Sequence, residues 1–226
     1  MSAFVVFEGL DGCGKSTQIK MLMDYLSTNK ISYKLLDFPR FSETMIGEMI
    51  GKFLRGEFGD IEDTNPYIVA LMYAQDRFDA KDLLYEGIEN HELLIVDRYV
   101  YSNAAFQSAK INDKDQSEAL RDWILQLEYM HYGLPKQDLS LYLNPPCEFI
   151  HNNLTRQRVG NDRDYLKGCI DIHENDLLFQ KKVEHQYLEL IKNDANFKSV
   201  DYEVGKTLLS PMEIHQAIVH LISDFI

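Results

Sequence analysis

The sequence predicts an α/β fold in which one parallel sheet is flanked by helices on both faces. Short apolar runs alternate with amphipathic helical stretches, and the run at residues 93–96 (Leu-Leu-Ile-Val) is apolar at every position. Strands that alternate with helices are typical of βαβ units, whose right-handed crossovers place the strands in parallel. A strand that is apolar throughout is typical of a sheet buried on both faces.

The N-terminal half begins with a β-rich run at residues 3–7, which stops at Glu8-Gly9. Apolar residues at spacings of three and four then predict a helix around residues 19–26. Asn65 and Pro66 predict the start of a longer helix, because asparagine caps helices and proline suits their first turn. The other elements predicted in this half are a strand at 33–38, a helix at 45–54 and the strand at 93–96.

The C-terminal half continues the alternation. Two helical stretches are predicted between residues 100 and 132, followed by a strand at 139–143 and a helix that starts near Pro146. The last helix opens with Ser210-Pro211-Met212-Glu213, a capping box with proline at the first helical position. We expect residues 1–226 to form a single domain.

The net charge and the amino-acid composition limit which binding partners and which cellular compartment are expected. The formal net charge of −13 disfavours non-specific binding to nucleic acid or to an anionic membrane, so an anionic ligand would need a local site. The three cysteines are too few and too scattered for a disulfide framework, which favours a reducing compartment. The N-terminus lacks a basic, apolar leader, and no apolar run approaches about 18 residues, so we expect a cytoplasmic protein.

A phosphate-binding loop is predicted between the first strand and the first helix. Residues 9–16 read Gly-Leu-Asp-Gly-Cys-Gly-Lys-Ser and fit the P-loop pattern GxxxxGK[ST]. Its glycines let backbone N–H groups converge on a phosphate at a helix N-terminus. Lys15 would neutralise the β- and γ-phosphates, and the Ser16 hydroxyl would ligate Mg²⁺. A Rossmann dinucleotide site is disfavoured, because Thr17 stands where its third glycine would be.

The apolar strand at 93–96 is followed by Asp97-Arg98. A carboxylate at the end of a strand beside a P-loop is well placed to bind Mg²⁺, although taken alone it is equally well explained as a turn former. Arg98 favours the phosphate site, because a guanidinium pairs bidentately with phosphate oxygens.

Two long motifs make the chain resemble the thymidylate (dTMP) kinases. Residues 97–107 match the family signature DR[YF]xxSxxA[YF]Q, and residues 7–18 match its P-loop segment. Shorter matches are Phe38-Pro39-Arg40, Tyr-Ala-Gln-Asp-Arg at 73–77, Gly-Leu-Pro at 133–135 and Tyr-Leu-Glu-Leu at 187–190. The resemblance covers about residues 4–192 and implies a P-loop NTPase-type kinase that transfers the γ-phosphoryl group of ATP to dTMP. It also implies dTDP as the product, a role in dTTP biosynthesis, Mg²⁺ as cofactor and a homodimer.

The resemblance assigns a role to each matching residue. Asp11 and Arg98 would contact phosphates at the transfer point, and Arg40 would grip the dTMP phosphate. The ATP loop would comprise Gly9, Asp11, Gly12, Cys13, Gly14, Lys15, Ser16 and Thr17, with Ser16 and Asp97 on Mg²⁺. The dTMP site would comprise Asp11, Phe38, Pro39, Arg40, Tyr73, Arg77, Arg98, Ser102, Phe106 and Gln107.

Within that pocket the resemblance separates base contacts from sugar contacts. Tyr73 would stack on thymine and Arg77 would hydrogen-bond it. Ser102 and Gln107 would line the base pocket, and Phe106 would crowd the 2′ position and so favour deoxyribose. Without the motif, Tyr73 and Phe106 would be interpreted as core packing.

A polar segment at about 155–167 is predicted to be a mobile lid. One subgroup of the family carries a P-loop arginine after the acidic residue, but Gly12 and Cys13 stand there in this chain. We therefore expect the catalytic positive charge to come from Arg156, Arg158 and Arg163 when the lid closes. A solvated loop is the alternative interpretation, and an unchanged kcat in Arg156→Met and Arg158→Met would remove the lid from the mechanism.

Some positions depart from the family pattern, and rival functions remain open. Gln137 replaces the usual proline before Asp138, and residues beyond about 195 match too poorly to place the adenine contacts. Cys13 is interpreted as a small space-filling residue, with a reactive low-pKa thiol as the alternative.

The rival functions are a kinase of the same fold with another acceptor, and a P-loop ATPase or switch.

Overall fold

The computed structural model describes residues 2–41, 43–60, 63–155, 166 and 177–225. Its central feature is a five-stranded parallel sheet in the order β2-β3-β1-β4-β5. The strands are β1 (Ala3–Glu8), β2 (Tyr33–Asp37), β3 (Leu93–Asp97), β4 (Leu139–Asn144) and β5 (Phe197–Asp201). The segment that follows β1 therefore leaves the sheet at its centre, between β3 and β4.

The described helices connect these strands in chain order. They are α1 (Lys15–Thr28), α2 (Met45–Leu54), α3 (Pro66–Asp79), α4 (Lys81–Asn90), α5 (Val100–Ser108), α6 (Lys114–Leu125), α7 (Cys147–Thr155), α8 (Leu177–Asn193) and α9 (Pro211–Ile222). A π-helical segment, Gln126–His131, continues α6. The two-residue strands β6 (Glu203–Val204) and β7 (Thr207–Leu208) form an antiparallel hairpin before α9.

Two hydrophobic clusters place helices on both faces of the sheet. Phe4 and Val6 of β1 belong to a cluster that includes residues of α3, α5 and α8. Val5 and Phe7 belong to a second cluster with residues of α1 and α9. Because successive side chains of a strand point to opposite faces, this division confirms the predicted helical layers on both faces.

The helix caps form as the sequence predicts. The Ser210 side chain accepts from the backbone N–H of Glu213, and the Glu213 carboxylate accepts from the backbone N–H of Ser210 at 2.7 Å. Asn65 caps α3 by accepting from the backbone N–H of Tyr67 at 2.9 Å. In the described ranges, no helix has the length and apolar character that a membrane span requires.

The longer helix predicted to begin at Pro66 is α3, which has 14 residues and is followed at once by the shorter helix α4. Ala80 lies outside the helical backbone region, at φ −98° and ψ 6°, and separates α3 from α4. The predicted lid, about 155–167, lies outside the described residues except for Thr155, which ends α7, and the buried Leu166. Arg156, Arg158 and Arg163 are therefore also outside the described part of the chain.

Candidate active site

The glycine-rich loop joins β1 to α1 at the centre of the sheet. Gly9, Gly12 and Gly14 all have positive φ angles, a region that favours glycine. A Cβ atom on Gly9 would lie 2.7 Å from the Cys13 Sγ and 3.1 Å from the carbonyl oxygen of Leu143. In the described part of the chain the N-cap residue of α1, Gly14, makes no side-chain cap hydrogen bond, so N–H groups of the first turn can face an anion.

The charged and hydroxyl residues of the loop are arranged around this helix start. Lys15 is buried, and its Nζ donates to the carbonyl oxygen of Gly9 at 3.5 Å. Ser16 and Thr17 are exposed on the first turn of α1. Burial raises the pKa of the Cys13 thiol in spite of the nearby Lys15 ammonium. A raised pKa favours the space-filling interpretation of Cys13, because the reactive form of cysteine is the thiolate.

Asp97 ends β3 directly beside the phosphate loop, since Phe7 and Asp97 are register partners in the parallel pair. Its Oδ1 atom is buried and has no hydrogen-bond partner among the residues that the structure describes. Asp37 ends β2 in register with Asp97. The pKa of Asp37 is raised, first by burial and then by repulsion from Asp97. A cation at the ends of these strands would bind Asp97 Oδ1 and reduce the repulsion between the Asp37 and Asp97 carboxylates.

Arg98 is the link between the phosphate loop and α5. Its backbone has φ 64°, and its N–H donates to the carbonyl oxygen of Phe7 at 2.9 Å. The side-chain Nη2 donates to Asp11 Oδ1 at 2.8 Å, and Nη1 donates to Ser102 Oγ at 3.3 Å. The guanidinium carbon lies 5.2 Å from the ring centroid of Phe106. Burial lowers the pKa of Arg98, but Asp11 and other nearby acidic groups more than compensate, so its pKa is raised.

Behind Arg98 lies Glu8, a fully buried carboxylate for which the sequence predicted no role. It accepts from the backbone N–H groups of Tyr99 at 3.1 Å and Ser102 at 3.2 Å, and from the Ser102 hydroxyl. The Tyr187 hydroxyl on α8 also donates to it, at 3.1 Å. Glu8 therefore caps α5, whose own N-cap residue, Tyr99, contributes no side-chain hydrogen bond. Burial raises the pKa of Glu8, against the opposing effects of Ser102 and Arg98.

Arg40 follows β2 and is held by Asp76 of α3. The Arg40 Nε donates to Asp76 Oδ1 at 3.1 Å, and Nη2 donates to the Asp76 carbonyl oxygen at 2.6 Å. The backbone N–H of Arg40 donates to Asp76 Oδ2 at 2.9 Å. Phe38 is buried beside this pair, with its ring centroid 6.0 Å from the Arg40 guanidinium carbon. Asp76 thus fixes the guanidinium at two of its nitrogens and does not contact Nη1.

The next residue of α3, Arg77, is paired with Glu128 of the π-helical segment. Arg77 Nε lies 2.5 Å from Glu128 Oε2, and Nη2 lies 2.7 Å from Oε1. Asn103 of α5 also donates to Glu128 Oε1, at 2.9 Å. Tyr73 lies one turn before Arg77 on α3 and is partly buried. Gln107 is buried on α5, and its Oε1 has no hydrogen-bond partner in the described ranges.

Comparison with known proteins identifies the family of the chain. The thymidylate kinase family model matches residues 7–212. The chain belongs to the thymidylate kinase family. The activity of this thymidylate kinase is the ATP-dependent phosphorylation of dTMP to dTDP. This result decides against a kinase for another acceptor and against an ATPase or switch.

Three relatives show how closely this thymidylate kinase resembles known members. It is 29% identical to the thymidylate kinase of Mycobacterium tuberculosis (strain ATCC 25618 / H37Rv) over 186 residues, 82% of this chain and 84% of the relative. It is 36% identical to that of Plasmodium falciparum (isolate 3D7) over 153 residues, 66% of this chain and 64% of the relative. A solved structure of the Candida albicans thymidylate kinase, with 26% identity, superposes with a TM-score of 0.69 and covers 99% of this chain and 92% of that one.

The structure of this thymidylate kinase brings the predicted residues together in two groups. Asp11, Arg98, Ser102 and Phe106 meet where the phosphate loop approaches α5. Arg77 lies on α3 and Arg40 packs against it. Each arginine forms an ion pair with a buried acid, Asp76 for Arg40 and Glu128 for Arg77. Those acids and Glu8 were missed as functional residues, although Glu8 and Asp76 lie inside the quoted motifs. Glu128 lies outside every motif, and only a contact between distant segments reveals it.

Proposed function

We propose that phosphoryl transfer in this kinase takes place around Arg98. The observation that carries the proposal is that this one guanidinium bonds Asp11 of the phosphate loop, bonds Ser102 of α5 and lies over the Phe106 ring. Arg98 can thus contact the phosphates of both nucleotides at the point where the group is transferred. Residues 9–17 bind the ATP phosphates, with Lys15 on the β- and γ-phosphates.

The dTMP acceptor is bound along α3 and α5. Arg40 grips the acceptor phosphate through the part of its guanidinium that Asp76 leaves uncontacted. Tyr73 stacks on thymine, Arg77 hydrogen-bonds it, and Phe106 crowds the 2′ position. Phe38, Pro39, Ser102 and Gln107 complete the lining of the pocket.

The chemical step needs positioning and charge neutralisation rather than a protein base. An oxygen of the acceptor phosphate, already anionic at neutral pH, attacks the γ-phosphorus in line, while the bond to the β,γ-bridging oxygen breaks. ADP leaves with the electron pair of that bond, and Lys15 and Arg98 neutralise charge on the transferring group. Arg156, Arg158 and Arg163 add positive charge from the lid.

Mg²⁺ is proposed as the metal cofactor, with Ser16 and Asp97 as the residues that hold it. The fit rests on the buried Asp97 Oδ1, which has no hydrogen-bond partner among the residues described, and on the exposed Ser16 at the start of α1. Oxygen donors of this kind are the ligands that Mg²⁺ prefers. When bound, the ion neutralises charge on the phosphate oxygens of ATP.

A homodimer in the cytoplasm completes the proposal, with residues 1–226 acting as one kinase domain. Apolar side chains on α2 and α3 are candidates for the dimer face, because several of them are exposed. They are Met45 at 86%, Met49 at 41%, Ile68 at 61% and Leu71 at 40%. Sedimentation of the purified protein tests this point: a dimer that dissociates on Ile68→Glu supports the face, and a monomer at all concentrations contradicts it.

Kinetics of three variants test the site assignment. ADP release with Mg-ATP is measured with dTMP, dUMP, dGMP, UMP, thymidine or no acceptor. We expect Arg98→Met to lower kcat about 100-fold or more, and Arg40→Met to raise KM for dTMP about tenfold or more. Lys114→Met removes a positive charge at the exposed start of α6 and should change neither constant. An Arg98→Met enzyme with unchanged kcat would refute the central role of Arg98.

A further inference from the structure

The buried acid Glu128 connects two buried side chains on different helices, Arg77 of α3, which is proposed to contact the base, and Asn103 of α5. Its carboxylate is fully buried and accepts from Arg77 of α3 through both oxygens. The same carboxylate accepts from Asn103 of α5. Among the described residues, the Glu128 carboxylate bonds to Arg77 and Asn103 and not to the phosphate loop or Arg98, so it lies apart from the transfer chemistry. It is supplied by a π-helical segment, a structure that recurs at functional sites.

Glu128 fixes the orientation of the Asn103 amide. The Asn103 Nδ2 donates to Glu128 Oε1 at 2.9 Å and to the carbonyl oxygen of Ala70 at 3.0 Å. A reversed amide would place its oxygen against these two acceptors, so the nitrogen must face them. Asn103 Oδ1 is thereby left as a buried acceptor, without a hydrogen-bond partner among the described residues.

Glu128 fixes the guanidinium of Arg77 in the same way. Its two oxygens occupy Nε and Nη2 and leave Nη1 uncontacted by the acid. Burial lowers the pKa of Arg77, but attraction to Glu128 outweighs this effect and raises it, so the group stays a donor. One carboxylate therefore holds a donor on α3 and an acceptor on α5.

We propose that Glu128 is a positioning residue that sets the hydrogen-bond polarity of the base pocket. A donor from Arg77 and an acceptor from Asn103 match a pyrimidine that carries a carbonyl at C4 beside an N3–H group. They oppose a pyrimidine with an amine at C4 beside an unprotonated N3. Glu128 thus selects thymine against cytosine without touching either base, and this inference rests on the proposed base contact of Arg77.

Four nucleotides distinguish the effect of the hydrogen-bonding edge of the base, at C4 and N3, from the effect of its 5-methyl group. The monophosphates dTMP and 5-methyl-dCMP share the methyl group and differ at C4 and N3, whereas dTMP and dUMP share that edge and differ in the methyl group. With dCMP as the fourth, each is measured as acceptor for kcat/KM and as competitive inhibitor against dTMP for Ki. The ratio of two acceptors in one preparation is independent of the fraction of folded enzyme, so a destabilised variant still gives an answer.

Glu128→Gln is the decisive variant, because glutamine keeps the shape but cannot accept from all three donors. We expect the dTMP preference over 5-methyl-dCMP to fall about tenfold or more, largely through KM, while the dTMP-to-dUMP ratio stays within about twofold. Glu128→Asp keeps the charge and should lose less of the preference. Tyr101→Phe removes a hydrogen bond from α5 to Asp194, outside this cluster, and should leave both ratios unchanged.

Arg77→Lys distinguishes failure of this inference from failure of the proposed function. If Arg77→Lys lowers the dTMP preference and Glu128→Gln does not, the role of Glu128 is overturned while that of Arg77 stands. If neither variant changes the preference, the base contact of Arg77 is overturned as well. Equal losses for dTMP, dUMP and 5-methyl-dCMP in Glu128→Gln would make the residue merely structural and would also overturn the inference.

Discussion

The Arg98 guanidinium donates to the Asp11 carboxylate at 2.8 Å, so two residues 87 positions apart in sequence form one ion pair at the phosphate loop. Both side chains keep some solvent exposure, 15% for Arg98 and 29% for Asp11. The pair therefore orients Arg98 while leaving part of it accessible to an incoming phosphate.

Removing the Asp11 charge should impair the chemical step. Asp11→Asn keeps the shape but weakens the hold on Arg98, so we expect kcat to fall about 10- to 100-fold, with a smaller change in KM for ATP. Steady-state kinetics with dTMP measure both constants. Asp24→Asn, at an exposed position on α1, is the matched control and should behave as the unmodified kinase. A wild-type kcat for Asp11→Asn would show that Arg98 needs no partner.

Asp76 should act on dTMP binding through Arg40. In Asp76→Asn the guanidinium loses its charged partner, and we expect KM for dTMP to rise about tenfold while KM for ATP is unchanged. Asp79→Asn alters an exposed acid three residues further along α3 and serves as control. Equal increases in both KM values would contradict a role limited to the acceptor.

The buried Glu8 should make stability depend on pH. Burial raises its pKa above the ordinary value of 4.5, so the folded chain retains the proton to a higher pH than the unfolded chain does. Raising the pH above about 4.5 therefore favours the unfolded chain through this group, and its contribution to the free energy of unfolding falls. Urea unfolding between pH 4.5 and 8 compares the kinase with Glu8→Gln. As the pH rises, the free energy of unfolding of the unmodified kinase should fall relative to that of Glu8→Gln. A difference between the two free energies that stays constant with pH would contradict the raised pKa.

Cys13 should be inert in the native protein. It is buried with a raised pKa, whereas Cys147 at the start of α7 is exposed. We expect iodoacetamide to label Cys147 far faster than Cys13 at pH 7.5, as measured by peptide mass spectrometry. Labelling in denaturant should remove the difference and is the control. Rapid labelling of native Cys13 would revive the interpretation as a reactive thiol.

The sequence allowed much of this structure to be predicted, because local patterns determine its central elements. Short apolar runs predicted β1, β3 and β4, although Ser140 interrupts the run in β4, and the glycine pattern placed the phosphate loop between β1 and α1. The edge strand β5 escaped prediction, because its five residues, Phe197–Asp201, alternate only partly between buried and exposed positions. Such a short pattern does not distinguish a strand from a loop.

The acids that organise the site could not be predicted for a different reason. Glu128 lies in a helical stretch of mixed polar and apolar residues, and its sequence does not distinguish it from a surface glutamate until the fold brings Arg77, 51 residues earlier, against it. Glu8 and Asp76 lie inside recognised motifs, but a motif does not say which of its acids is buried. Their partners lie on other elements, so their roles emerge only from long-range contacts.

Asp76 and Arg77 are neighbours in sequence on α3. Asp76 forms an ion pair with Arg40, whereas Arg77 forms one with Glu128. With the proposed roles of these arginines, a single rigid helix sets the spacing between the group that grips the phosphate and the group that reads the base. The helix α3 then works as a gauge of nucleotide length. A nucleoside without its phosphate would contact one end of the gauge, and a lone phosphate the other. A monophosphate of the right span engages both ends at once.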